Sequence, residues 1–89
     1  MGYDAAHLTK PKHLAAKLVA IRKALGLSQN GMVRRMGLTE LVIREEISAF
    51  ERGVRVPPVG VLLLYARAAE LAVEVLIDDE INLPRKFRK

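Results

Sequence analysis

The chain has 89 residues, no cysteine and a formal net charge of +5, with 51% of its residues hydrophobic. A chain this short is expected to form one domain with a modest core and to have no room for a second, ligand-sensing domain. The lack of cysteine excludes a disulfide framework and thiol chemistry and favours a cytoplasmic setting.

The charge is unevenly spread. Residues 1–69 hold eleven Lys/Arg against five Asp/Glu, residues 70–80 hold five acids and no base, and residues 81–89 hold four bases. A basic body suits a polyanion, because each neutralised phosphate releases condensed counterions. Cations that merely solvate helix faces would give the same total. Met1-Gly2-Tyr3-Asp4 is followed by no apolar stretch of the signal-peptide kind. The longest strongly apolar run, Val59 to Ala66, is far shorter than a membrane span and stops at Arg67. The expectation is a soluble protein with no membrane partner.

Taken in order, the elements are all helical. After an N-terminal arm over 1–9, Thr9-Lys10-Pro11 is a start signal with Pro11 suited to the first helical position. Leu14, Leu18, Ile21 and Leu25 then recur at helical spacing until Gly26. Ser28 is a good N-cap for a second helix whose buried side is Met32, Val33 and Met36 and whose end is Gly37. Gly31 inside it costs up to about 1 kcal/mol against alanine. A third helix includes Ile47 and Phe50, three apart on one face, and closes at Gly53 after Arg52. Pro57 and Pro58 open a fourth.

Neither Glu70 nor Ala72 stops a helix, so a continuous helix from about Pro58 to Asp78 is expected. Leu62, Ala66, Ala69, Val73 and Leu76 form one apolar stripe on it. Val61, Leu64, Ala68, Leu71 and Val75 form a second, and Arg67, Glu70, Glu74 and Asp78 a polar one. One apolar stripe packs on the body, and the other calls for a partner. A twofold homodimer is the commonest solution. The domain is thus expected over 10–80, with a basic tail over 81–89.

Arg22, the Leu27-Ser28-Gln29 opening, Gly37, the Ile47…Phe50-Glu51-Arg52-Gly53 ending and Pro57 together resemble the Cro/cI-type (Xre) helix-turn-helix family over roughly residues 12 to 79. The resemblance implies an all-α, four- to five-helix, lambda repressor-like domain that binds double-stranded DNA. It implies a structural ion pair between Arg22 and Glu51, holding helix one against the end of the recognition helix. It also implies that the loop carrying Arg52 and Arg55 touches the phosphate backbone. Between Gly37 and Gly53 this chain is longer than the family by about one helical turn. The third helix therefore starts either at Thr39 as N-cap or near Ile43. In the second case, alignment backward from Glu51 puts Arg44, Glu45, Ser48 and Ala49 where the family reads bases, and in both cases Arg44 lies near the helix start.

The residue chemistry supports matching roles. Gln29, at the positive end of helix two, suits a phosphate contact. Arg44 can chelate guanine through O6 and N7, and Glu45 can accept from cytosine N4. The adjacent Glu45 and Glu46 repel a phosphate-lined groove but suit a helix N-terminus. Arg34 and Arg35 at the end of helix two are explained by its dipole alone. His7 and His13, six apart, fall on different helix faces, so no metal site is expected with them or Asp4. No nucleophile–base pair and no phosphate-binding glycine loop is present, so neither an enzyme nor a cofactor is expected. The expected function is a homodimeric transcriptional repressor that occupies an operator. The alternative is a helix-turn-helix module for a protein partner, such as the antitoxin of a toxin-antitoxin pair, with DNA binding weak or lost.

Overall fold

Five helices and no strand account for the regular structure among residues 11–39 and 44–86, which the computed structural model describes. They are α1 (Leu14–Ala24), α2 (Gln29–Arg35), α3 (Arg44–Glu51), α4 (Val59–Ala69) and α5 (Val73–Ile77). The described residues are all-helical, in keeping with the sequence pattern.

Helix α1 is the hub, in contact with α3, α4 and α5, while α2 packs on α3. Its inward face is Leu14, Leu18 and Ile21 with Leu25 just beyond, all buried, at the i, i+4, i+7 spacing of one helical face. They join Met32, Val33, Ile47, Phe50, Leu62, Tyr65 and Leu76 in one core. Pro11 is not at the first helical position. The helix begins at Leu14, with His13 as its N-cap, and Thr9 and Lys10 lie outside the described residues.

Ser28 caps α2 by accepting the Gly31 N–H at 2.9 Å. A Cβ on Gly31 would lie 3.2 Å from that hydroxyl oxygen and 3.4 Å from Leu27 Cβ. The glycine, costly for helix propensity, lets the capping loop close over the first turn.

Helices α1, α2 and α3 end alike. Leu27 N–H donates to Arg22 C=O and Gly26 N–H to Lys23 C=O, and the same two bonds recur as Leu38 to Val33 with Gly37 to Arg34, and Val54 to Ala49 with Gly53 to Phe50. Such pairs satisfy carbonyls that the helix leaves open. Helix α4 repeats the pattern without a glycine: Leu71 donates to Ala66 at 2.8 Å and Glu70 to Arg67 at 3.1 Å. Glu70 adopts the left-handed conformation, φ 58° and ψ 43°, that this closure demands.

The continuous helix expected to Asp78 is therefore broken at Glu70, and α5 starts afresh at Val73. The break changes the two apolar stripes. Leu62, Ala66, Ala69 and Leu76 are buried, with Val73 partly so. Of the second stripe, Val61 is only 8% exposed and belongs to the core, so it is not available to a partner. Leu64, Ala68, Leu71 and Val75 are half-buried against the core. The chain also packs beyond the expected boundary at residue 80, because Leu83 lies against the core. Pro58 is the N-cap of α4 rather than part of its first turn. The choice between Thr39 and Ile43 as the start of α3 falls on residues 40–43, outside the described residues.

Candidate functional site

The ends of α1, α2 and α3 meet at Arg22 and Glu51. Arg22 Nε donates to Glu51 Oε2 at 2.6 Å and Nη2 to Oε1 at 3.0 Å, while Nη1 donates to the Leu27 carbonyl at 2.9 Å. The two-point contact suits a planar guanidinium against a carboxylate. Both side chains are largely withdrawn from water, at 16% and 6% exposure. The hydrogen bond to Glu51 holds the Arg22 guanidinium above its ordinary value, against the opposing effect of burial.

Gln29 belongs to this cluster. Its Nε2 donates to Glu51 Oε1 at 3.1 Å and the residue is half-buried. One of its two amide N–H donors is thus engaged with a carboxylate at the start of α2. Tyr65 lies behind the pair, fully buried, with no partner for its hydroxyl among the described residues. Burial, and then the Glu51 charge, push its ionisation to high pH.

Helix α3 buries Ile47, Ala49 and Phe50. Ala49, one of the positions aligned with base reading, faces inward and is unavailable. Arg44, Ser48 and Arg52 recur every four residues and share the opposite side, with Glu45 beside them. Arg44, Glu45 and Arg52 are exposed and Ser48 is half-buried. Arg52 Nε donates to Ser48 Oγ at 3.2 Å, so two candidate contacts are linked. Arg44 Nη2 lies 3.5 Å from Glu45 Oε2, with both side chains more than half exposed. Such a surface pair is worth about 0–1 kcal/mol. Glu45 and Glu46 fall in the first turn, where the helix dipole favours them.

Beyond α3, Arg55 is exposed and its guanidinium carbon sits 5.9 Å from the centre of the Phe50 ring, within cation–π range. A cavity of about 370 Å³ opens beside it, between the start of α1 and the loop after α3. Arg34 and Arg35 are exposed at the end of α2. Neither the cavity nor its lining by Arg52 and Arg55 is apparent from the sequence, since Lys12, which also lines it, stands 40 positions before Arg52.

Two further residues escaped sequence reasoning. Lys17 is buried at 6% exposure, and its Nζ donates to the carbonyls of Val75, Asp78 and Ile81. Asp79 accepts the backbone N–H groups of Lys12 and His13 at 2.8 and 3.0 Å. Those bonds hold the Asp79 carboxyl below its ordinary value of 3.8. Lys17 thus satisfies carbonyls around the end of α5, and Asp79 satisfies donors at the entry to α1.

His13, placed at the α1 entry, has no such cluster around it. Among the described residues no group of three His, Cys, Asp or Glu side chains is arranged to hold a metal ion, and no helix is long and apolar enough to cross a membrane. His7 and Asp4 lie outside the described residues. Compared with family models, curated proteins and solved structures, the chain matches none.

Proposed function

We propose that this chain is a DNA-binding transcriptional regulator of the Cro/cI helix-turn-helix type, a repressor that occupies its operator as a homodimer. The observation that carries the reading is the outward face of α3, where Arg44, Glu45, Ser48 and Arg52 stand opposite the buried Ile47 and Phe50. With α2 packed behind it, α3 has the support a helix needs to enter a major groove.

The roles divide by chemistry. Arg52 and Arg55, exposed at and beyond the C-terminal end of α3, take phosphates, which sets affinity and its salt dependence. Arg44 takes guanine. A bidentate base contact is worth about 1–3 kcal/mol, more than the roughly 0–1 kcal/mol of its exposed pairing with Glu45. Glu45 then becomes free to accept from cytosine, and Ser48 adds a hydroxyl between the two arginines. Gln29 acts through Glu51, setting the end of α3 against α1 and α2. The dimer contact falls on Leu64, Ala68, Leu71 and Val75, which keep part of their surface in water, with Val61 excluded.

Paired substitutions test the division. Arg44→Ala should relax base preference at one position by about 1–3 kcal/mol, and Arg55→Ala should weaken binding to all sequences alike. Identical behaviour of the two variants would refute it. For the dimer, Leu64→Glu should yield monomers in sedimentation, and an unchanged mass would reject this surface.

A second reading draws on Glu45, Glu46 and the apolar loop. Val54 is 64% and Val59 80% exposed, and exposed valines from the end of α3 to the start of α4 suit a protein partner. In that reading the chain is an interaction module such as an antitoxin, with DNA binding weak or lost, and Val59→Asp would abolish partner capture while leaving the fold intact.

A further inference from the structure

We infer that the cavity between α1 and the loop after α3 is a binding site for a small amphipathic anion, a phosphate or carboxylate carried on an apolar body of about ring size. Its wall is divided by chemistry. Lys12, Arg52 and Arg55 supply three cations, Val56 supplies exposed apolar surface with the buried Leu14 and Phe50 behind it, and no acid is among the described lining residues. At about 370 Å³ it falls at the small end of ligand sites, which run from roughly 300 to 1,000 Å³.

The cations are available. Neither Lys12 nor Arg55 has an acidic side-chain partner among the described residues: the ion pairs there join Arg22 to Glu51 and Arg44 to Glu45. Among the described residues the Arg52 side chain is tied to the neutral Ser48 hydroxyl. Arg55 is poised over the Phe50 ring, a placement that sets the guanidinium beside the apolar wall, where an anionic head and an apolar body meet. Three like charges converging on one concavity raise the local concentration of anions. A bare inorganic anion would use only the rim, whereas an apolar body also leaves water.

The site and the proposed DNA contacts share Arg52 and Arg55, so ligand and DNA phosphate compete for them. That consequence rests on the DNA reading, but binding of the ligand does not, and the test concerns binding alone. Phenyl phosphate, inorganic phosphate and benzyl alcohol are titrated separately into the isotopically labelled full chain without DNA, and the backbone amide signals of Ala15, Gly53 and Val56 are followed. Phenyl phosphate should saturate and bind about tenfold or more tightly than inorganic phosphate, and benzyl alcohol should not saturate. Arg55→Gln and, separately, Lys12→Gln, both at exposed positions, should each weaken phenyl phosphate severalfold while the remaining amide signals stay in place. Equal affinity for phenyl and inorganic phosphate, equal affinity for benzyl alcohol, or unchanged binding by both variants would overturn the proposal.

Discussion

The Lys17 ammonium donates to the carbonyl oxygen of Val75 at 2.7 Å, across 58 residues of chain. Its other two protons go to Asp78 and Ile81, at 3.0 and 2.7 Å. All three donors of a buried ammonium are therefore satisfied by main-chain oxygens, and α5 is fastened to the middle of α1. Lys17→Met keeps the apolar stem and removes the donors. It should lower unfolding free energy by about 1–3 kcal/mol in urea titrations, because three partly buried carbonyls lose their charged donor. A loss under about 0.5 kcal/mol would mean that the bonds contribute little net stability.

Asp79 makes stability depend on acid. Its folded carboxyl titrates below the ordinary value of 3.8, chiefly because the Lys12 N–H and then the His13 N–H donate to the charged form. The contribution is therefore present above the ordinary value and is lost as pH falls through the folded one. Asp79→Asn should lower the melting temperature at pH 6 and flatten its fall between about pH 4 and pH 2. Parallel curves for parent and variant would rule out this carboxylate as the source.

Glu70 stands where helices α1, α2 and α3 have glycine, at φ 58°. The left-handed conformation costs a residue with a Cβ about 1–2 kcal/mol, partly offset by the greater freedom glycine has when unfolded. Glu70→Gly should raise stability by about 0.5–1 kcal/mol in thermal or urea unfolding. A destabilised variant would show that the Glu70 side chain outweighs the relief.

Tyr65 buries a hydroxyl that finds no partner among the described residues. An unpaired buried polar group is a cost, so Tyr65→Phe should be neutral or stabilising by about 1 kcal/mol. In the parent, alkaline difference spectra should show one tyrosine resisting ionisation until the fold is lost, since burial and the Glu51 charge both oppose its anion. A clear loss of stability in the phenylalanine variant would reveal a partner for the hydroxyl.

The parts of the fold that local chemistry writes were readable in advance. Ser28 announces α2, the closing turns at Gly26, Gly37 and Gly53 need a residue that tolerates positive φ, and Ile47 with Phe50 marks the inner face of α3. The stop at Glu70 was not readable, because a glutamate in the left-handed region carries no signal of its own. Lys17 was half-visible: it sits three residues after Leu14 on the buried face, yet its acceptors are main-chain carbonyls, which any sequence supplies. Asp79 reaches donors 66 and 67 positions away, beyond any local pattern. Gln29 was placed at the right helix start, but whether its amide turns to solvent or to Glu51 depends on where α3 ends in space.

The most direct test of the account is a selection of genomic DNA fragments by the purified chain, repeated across salt concentrations. The account predicts enrichment of a pseudo-palindromic site, with log affinity falling linearly as log salt rises, about one unit of slope for each phosphate contacted. No fragment enriched above background, or enrichment indifferent to salt, would contradict the DNA-binding role assigned to α3.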